Sequence, residues 1–241
     1  SKGTTIEIGL SDPPLNPARP NKPELVRAGE VPRRRPNTLN GQIAILHSIA
    51  HIELNAVDLH WDIIARFANI QMPVGFYDDW VKSAQEESNH FNIICDCLEE
   101  LGSYYGKLTA HDGLWQAAID TRDDLLGRLA VVPMVLEARG LDVTPNMISL
   151  FEKAKLKNAV KALKTIYEEE VSHVAYGSKW FNFLCGRNNL DPKIEFHRLV
   201  TKYFNGFLKP PFNEEKRADA GLPPDFYWPL ADQLNINTSY K

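Results

Sequence analysis

Four stretches of this chain carry an apolar stripe at helical spacing, and a glutamate interrupts each stripe at a core position. In the first, Leu39, Ile43, Leu46, Ile49 and Ala50 lead to Glu53, and Ala56, Val57, His60, Ile63, Ile64 and Phe67 follow. That is a period near 3.6, the repeat of a helix with one buried face. The second stripe runs Phe76, Trp80, Ala84, Glu87, His90, Phe91, Ile94, Leu98, Leu101. The third runs Leu126, Ala130, Pro133, Met134, Glu137, Leu141. The fourth runs Val160, Leu163, Ile166, Tyr167, Glu170, His173, Val174, Gly177, Phe181, Leu184. A carboxylate in an apolar stripe is costly unless it is paired or binds a metal. The pattern therefore demands a helical fold that brings its carboxylates together.

The spacing sharpens this. Glu87 and His90 form one Glu-x-x-His pair, and Glu170 and His173 form another. A lone glutamate precedes each pair, Glu53 by 34 residues and Glu137 by 33. One glutamate from each of two helices plus Glu-x-x-His from each of the other two is the ligand set of a carboxylate-bridged dimetal centre in a four-helix bundle. Singly, each residue has a plainer reading as a solvated pair or a flank residue reaching water. As a set, Glu53, Glu87, His90, Glu137, Glu170 and His173 are the expected metal ligands.

Neighbouring groups stay open. Glu86 and Glu169 lie four residues before the histidines and could reach the same face, although the i, i+3 choice fits the stripes better. His60 reads equally as a wall or donor beside the site and as a core histidine. Tyr167 and Tyr176 could hydrogen-bond near the metals, with core packing the favoured reading. His47 and His51 flank Glu53 at other angles and are not expected to be ligands.

The remaining chain frames the bundle. Residues 1–36 carry seven prolines without helical period and are expected to form an extended arm on the surface. Arg33, Arg34 and Arg35 read as a solvated or salt-bridged run in preference to a phosphate patch. Helix one is expected from Thr38 to about Gln71, and helix two from Pro73 to about Gly102. Helix three should follow a 103–113 loop, kink at Pro133 near the metals and close at a Gly140 cap. The Pro133 kink is a candidate opening for substrate. Thr144-Pro145 should start a short connecting helix, and helix four should run from about Asn158 to Arg187. Asp191-Pro192 should start a fifth helix reaching about Leu208, ahead of a proline-rich surface tail. The expected fold is thus all-α: an arm over 1–36, a four-helix bundle over 37–187, and a C-terminal helix and tail over 188–241.

A length of 241 residues with 44% hydrophobic content suffices for a real core. A net charge of −4 gives no general nucleic-acid signature. No apolar run approaches the roughly 18 residues of a membrane span, so no membrane partner is expected. Cys95, Cys97 and Cys185 lack zinc-type spacing and read as reduced thiols of a cytoplasmic protein. Ser1 is not an initiator methionine, which leaves room for a removed targeting segment.

Several longer segments carry a resemblance. They are Ile49-Ala50-His51-Ile52-Glu53, Phe76-Tyr77-Asp78-Asp79-Trp80, Ala110-His111-Asp112-Gly113-Leu114-Trp115, the run from Leu136 to Pro145, and Pro211-Phe212-Asn213. Together they resemble an uncharacterised ferritin-like family, a domain of unknown function, over nearly the whole chain. The resemblance implies a ferritin-like fold with a di-iron centre, and all six ligand positions match. It carries no settled reaction. A more distant similarity, of fold and ligand pattern alone, is to the di-iron hydroxylase of hypermodified adenosine in tRNA.

Carboxylates and imidazoles suit iron or manganese, so two iron ions are the expected cofactor, with manganese the alternative. The function expected first is an oxygen-activating di-iron hydroxylase or monooxygenase, served by an external electron donor. Iron handling by ferroxidase or storage is a second reading. A binding or assembly subunit with structural metals is a third, and manganese catalase a minor fourth. Small molecules, lipids, acyl carriers and a tRNA base are all open as substrates, and pairing into a homodimer is common for such bundles.

Overall fold

A computed structural model describes residues 8–238, with side chains to residue 231. The first seven residues of the expected arm and the last of the tail lie outside the described residues. Regular structure among the described residues is helical, and extended pairing is limited to one parallel bridge, Leu25 to Ala110. The α-helices are α1 Leu39–Arg66, α2 Val74–Glu100, α3 Gly113–Asp120, α4 Leu125–Val131, α5 Ala138–Lys153, α6 Lys157–Arg187, α7 Pro192–Tyr203, α8 Glu214–Asp219 and α9 Pro224–Thr238. A π-helical segment, Val132–Glu137, joins α4 to α5. No helix among the described residues is long and apolar enough to cross a membrane.

The chain divides into two compact units, residues 1–119 with 146–166, and residues 120–145 with 167–241. Both α5 and α6 run through a boundary.

In the first unit, α1 starts where the Thr38 hydroxyl accepts from the Gly41 amide at 3.1 Å, an N-cap. Gly41 is required there, because a Cβ would fall 1.9 Å from the Arg35 carbonyl oxygen. The helix stops at Arg66, five residues short of the expected Gln71. The Arg66 guanidinium folds back on Asp62 at 2.7 Å and also donates to the Pro14 carbonyl at 2.9 Å. Helix α2 ends on Gly102 at φ +69, with Ser103 N donating to Leu98 O and Gly102 N to Glu99 O. That paired closure satisfies carbonyls that a helix end leaves open. Leu46, Ile49, Ala50, Ala56 and Ile63 of α1 and Phe76, Trp80, Ala84, Ile94 and Leu98 of α2 are buried, as the stripes require, whereas Leu39 at the head of the first stripe is exposed.

The arm is extended, as expected, apart from one short 3-10 turn at Ala28–Glu30. Arg19 ties it down, donating to Asn55 at 2.7 Å and to Asp58 and Asp112 at 3.1 Å, and stacking over Trp115. Trp115 Nε1 donates to the Leu15 carbonyl at 3.1 Å.

In the second unit the sequence reading needs three corrections. Helix three is not continuous: α3 ends at Asp120, and Asp124 caps a new helix by accepting from Gly127 N at 2.9 Å. Gly140 does not close a helix, and Thr144-Pro145 does not start one, because α5 continues to Lys153 with Pro145 inside it. Proline removes the amide that would bond to the Leu141 carbonyl. Here Asn213 Nδ2 donates to that oxygen instead, at 3.2 Å. The same solution recurs at Pro229 in α9, where His197 takes the Asp225 carbonyl at 3.1 Å. Finally, the C-terminal segment is not only a surface tail. The fifth helix, α7, ends at Tyr203, and α8 and α9 follow it. Ala220, Leu222, Phe226 and Tyr227 are buried, alongside Phe181, Phe196 and Leu199.

Candidate metal centre

Glu53 lies in the middle of α1, and Glu87 and His90 lie in the middle of α2. All three are buried, with Glu87 and His90 at 0% exposure. The two helices pack face to face along their stripes, which sets the lone glutamate opposite the Glu-x-x-His pair. His90 Nδ1 is 3.2 Å from Glu53 Oε2 and 3.4 Å from Glu87 Oε2.

The electrostatics are those of acids concentrated away from water. Burial, together with the nearby Glu87 charge, pushes the Glu53 carboxyl up to about 8 against the opposing His90 hydrogen bond. For His90, burial disfavours the charged imidazole. The hydrogen bonds and charges of Glu53 and Glu87 outweigh it and carry the group up to about 11. His90 Nδ1 thus lies against both acids, a position where a metal ion would compete with a proton.

The second pair lies in the middle of α6. Glu170 and His173 are both buried, with His173 Nδ1 3.9 Å from Glu170 Oε1. Glu53, Glu87, His90 and Glu170 each offer a ligand atom, and these atoms all lie within 4.8 Å of one another. Four of the six residues expected from sequence therefore form one group that could hold a metal ion. The other two, Glu137 and His173, fall outside that group. Glu137 is half-buried and is the last residue of the π-helical segment.

That segment is the feature the sequence reading missed, although Pro133 marked its position. At the position of the expected kink the helix changes register. The Ala138 amide donates to the Pro133 carbonyl, an i to i−5 bond. Single π turns inside α-helices are rare and cluster at functional sites. A close approach accompanies it: a Cβ on Gly177 would fall 2.5 Å from the Pro133 ring.

The neighbouring residues resolve as follows. Glu86 pairs with Lys82 at 3.3 Å and is half-buried. His47 and His51 hold the 104–111 loop. His47 Nε2 accepts from Gly106 N at 3.0 Å, and His51 bridges the Tyr105 hydroxyl and the His111 carbonyl at 2.8 and 3.1 Å. The Tyr167 hydroxyl accepts from Asn213 Nδ2 at 2.6 Å. His60 is buried with its ring 5.2 Å from Trp80. The three cysteines are free thiols, each pushed up to about 11 chiefly by burial.

The donor set fits a hard or borderline cation. It comprises three carboxylates and one imidazole, with no thiolate, in a setting where uncompensated acids are costly. A family model described as "Protein of unknown function (DUF455)" matches residues 2–228. An uncharacterised protein of Haemophilus influenzae (strain Rd) is 41% identical over 210 residues, covering 85% of this chain and 73% of that protein. No solved structure matches the chain.

Proposed function

The chain belongs to the DUF455 family, and we propose that it is a ferritin-like di-iron carboxylate oxidoreductase that activates dioxygen, a hydroxylase or monooxygenase. The observation that carries this reading is the buried group of Glu53, Glu87, His90 and Glu170 with ligand atoms within 4.8 Å. Glu137 and His173, on the segments that also carry Pro133 and Glu170, are the residues to complete a second metal position. In this reading Glu53, Glu87, His90, Glu137, Glu170 and His173 would together hold the metals, the carboxylates offsetting their charge and the two imidazoles completing the donor set.

Held by Glu53, Glu87, His90, Glu137, Glu170 and His173, a pair of reduced irons would supply the redox chemistry for dioxygen. The chain itself supplies rigidity and a dry surrounding. The ligands sit in mid-helix, and the buried apolar faces of α1 and α2 keep water from Glu87 and His90. Hydroxylation places one oxygen atom in a substrate C–H bond and releases the other as water. The balance requires two electrons and two protons, which an external donor provides.

Metal content and oxygen consumption of anaerobically reconstituted protein test the reading. The expected result is two irons per chain and an oxygen-dependent absorbance change. Glu87→Ala should lose both irons, and Glu137→Ala and His173→Ala should each retain fewer than two. Iron uptake with no oxygen reaction would move the assignment to a structural metal. No uptake by the unsubstituted protein would end it.

A further inference from the structure

Two buried donors on α2 have no place in the metal centre. Trp80 and Ser83 are both at 0% exposure, and neither Trp80 Nε1 nor Ser83 Oγ has a hydrogen-bond partner among the described residues. A serine inside a helix usually bonds its hydroxyl back to the carbonyl one turn earlier. The Ser83 hydroxyl makes no such bond. Leaving a buried polar group unsatisfied is costly, so each exception calls for a reason.

Their positions supply one. Trp80, Ser83 and Glu87 are spaced i, i+3 and i+7, so they lie on one face of α2. By helical rise, Ser83 lies about 6 Å and Trp80 about 10 Å along the axis from Glu87. The Trp80 ring is flanked by His60 of α1 at 5.2 Å and by Phe76 at 6.2 Å. One and two turns along α2 from Glu87 there are thus two buried donors that no described residue bonds, with His60 and Phe76 against the indole.

We propose that these donors form a substrate-orienting subsite, in which Trp80 Nε1 and Ser83 Oγ donate to a neutral oxygen of an organic substrate, a ketone, amide or alcohol. The inference rests on the oxidoreductase reading for its purpose, though not for its test. An indole N–H can only donate, so the group it meets must accept. No cationic side chain among the described residues bonds either atom, which disfavours a carboxylate. Aromatic walls suit an apolar body carrying that oxygen. Trp80 and Ser83 would be positioning residues, fixing which C–H bond faces the metals.

The test reads the indole N–H resonances of the full chain during titration with 2-butanone, and separately with acetate. Trp80→Phe identifies the Trp80 signal. The titrations are run on chelated and on zinc-loaded protein, with metal content measured independently. Loss of metal binding would then be separable from loss of the subsite. The expected result is a saturable shift of the Trp80 signal with the ketone alone. Ser83→Ala should weaken it on the order of tenfold, the loss of one buried hydrogen bond. Ser83→Ala should also leave thermal stability unchanged or raised, because it deletes an unsatisfied buried hydroxyl. No saturable shift with 2-butanone, an equal shift with acetate, or a marked fall in stability in Ser83→Ala would each overturn the proposal. The last outcome would make Ser83 a structural residue.

Discussion

His90 Nδ1 lies 3.2 Å from Glu53 Oε2, so the histidine of the first Glu-x-x-His pair on α2 reaches the lone glutamate of α1 directly. The contact joins residues 37 positions apart in sequence and packs two acids and an imidazole into a core layer. Without a metal, the layer is a buried charge cluster.

A metal should therefore stabilise the fold. Binding at a hundredfold excess over the dissociation constant contributes about 2.7 kcal/mol. For a chain of this size that is a rise in Tm of roughly 5–10 °C. Thermal scans in chelator and in anaerobic ferrous or manganous buffer should show it, and Glu87→Ala should abolish it. An unchanged Tm with metal present would argue that the cluster does not bind one.

Acid sensitivity should come in part from His47, well away from the carboxylates. Burial, aided by the charges of His51 and Arg34, lowers its pKa to about 4. Its Nε2 accepts backbone amides, which a protonated ring cannot do. Between about pH 6.5 and 4 the unfolded chain binds the proton and the native chain does not. Stability therefore falls as pH drops through that window, by at most about 3 kcal/mol from this group. Urea titrations at pH 7 and pH 4.5 should show the fall. His47→Gln, which can accept without titrating, should reduce it.

Gly177 and Pro133 should behave as one unit. A methyl at 177 would sit 2.5 Å from the proline ring, inside van der Waals contact. Gly177→Ala should cost about 1–3 kcal/mol, the usual penalty for overpacking. It should also disturb the π-helical segment that carries Glu137. Urea midpoints read the first effect and metal stoichiometry the second. A variant with wild-type stability and stoichiometry would show that the approach is slack.

The Asp142–Arg217 pair should be the most sensitive polar contact of the second unit. Arg217 Nε and Nη2 donate to the two Asp142 oxygens at 2.8 and 2.7 Å, and the guanidinium lies 4.9 Å from Phe212 and 4.6 Å from Tyr227. Removing one partner of a buried pair costs about 3–5 kcal/mol, because the other charge is left uncompensated. Arg217→Met should fall below that figure, because Arg139 at 3.3 Å and the Asn213 amide at 2.9 Å still bond Asp142. Asp142→Leu, which strands the buried Arg217 charge and the Asn213 amide together, should cost more, and the reverse order in urea midpoints would contradict the explanation.

Where side-chain pattern alone decides an outcome, it was readable in advance. The Glu53 and Glu87 stripes each place an acid at a position that only a buried helix face could explain, and both residues are buried. The Asp191-Pro192 start of α7 is local cap chemistry, and Asp191 does accept from Ile194 N at 2.9 Å. Pro145 misled, because local rules treat a proline as a helix start. Asn213, 68 residues away in sequence, takes over the carbonyl that the proline leaves unbonded.

The amino-acid sequence by itself determined the helical class, the extended arm, and the burial of Glu53, Glu87, His90, Glu170 and His173 on helix faces, but not that of His47 and His51 or the half-exposure of Glu137. Each of those follows from periodicity and from the cost of burying charge. Only the tertiary structure decided the π-helical register at Glu137, the packing of α8 and α9, the unpartnered donors at Trp80 and Ser83, and the grouping of Glu53, Glu87, His90 and Glu170 within 4.8 Å. Those outcomes depend on which distant backbone and side-chain groups meet, and a local pattern carries no record of that meeting.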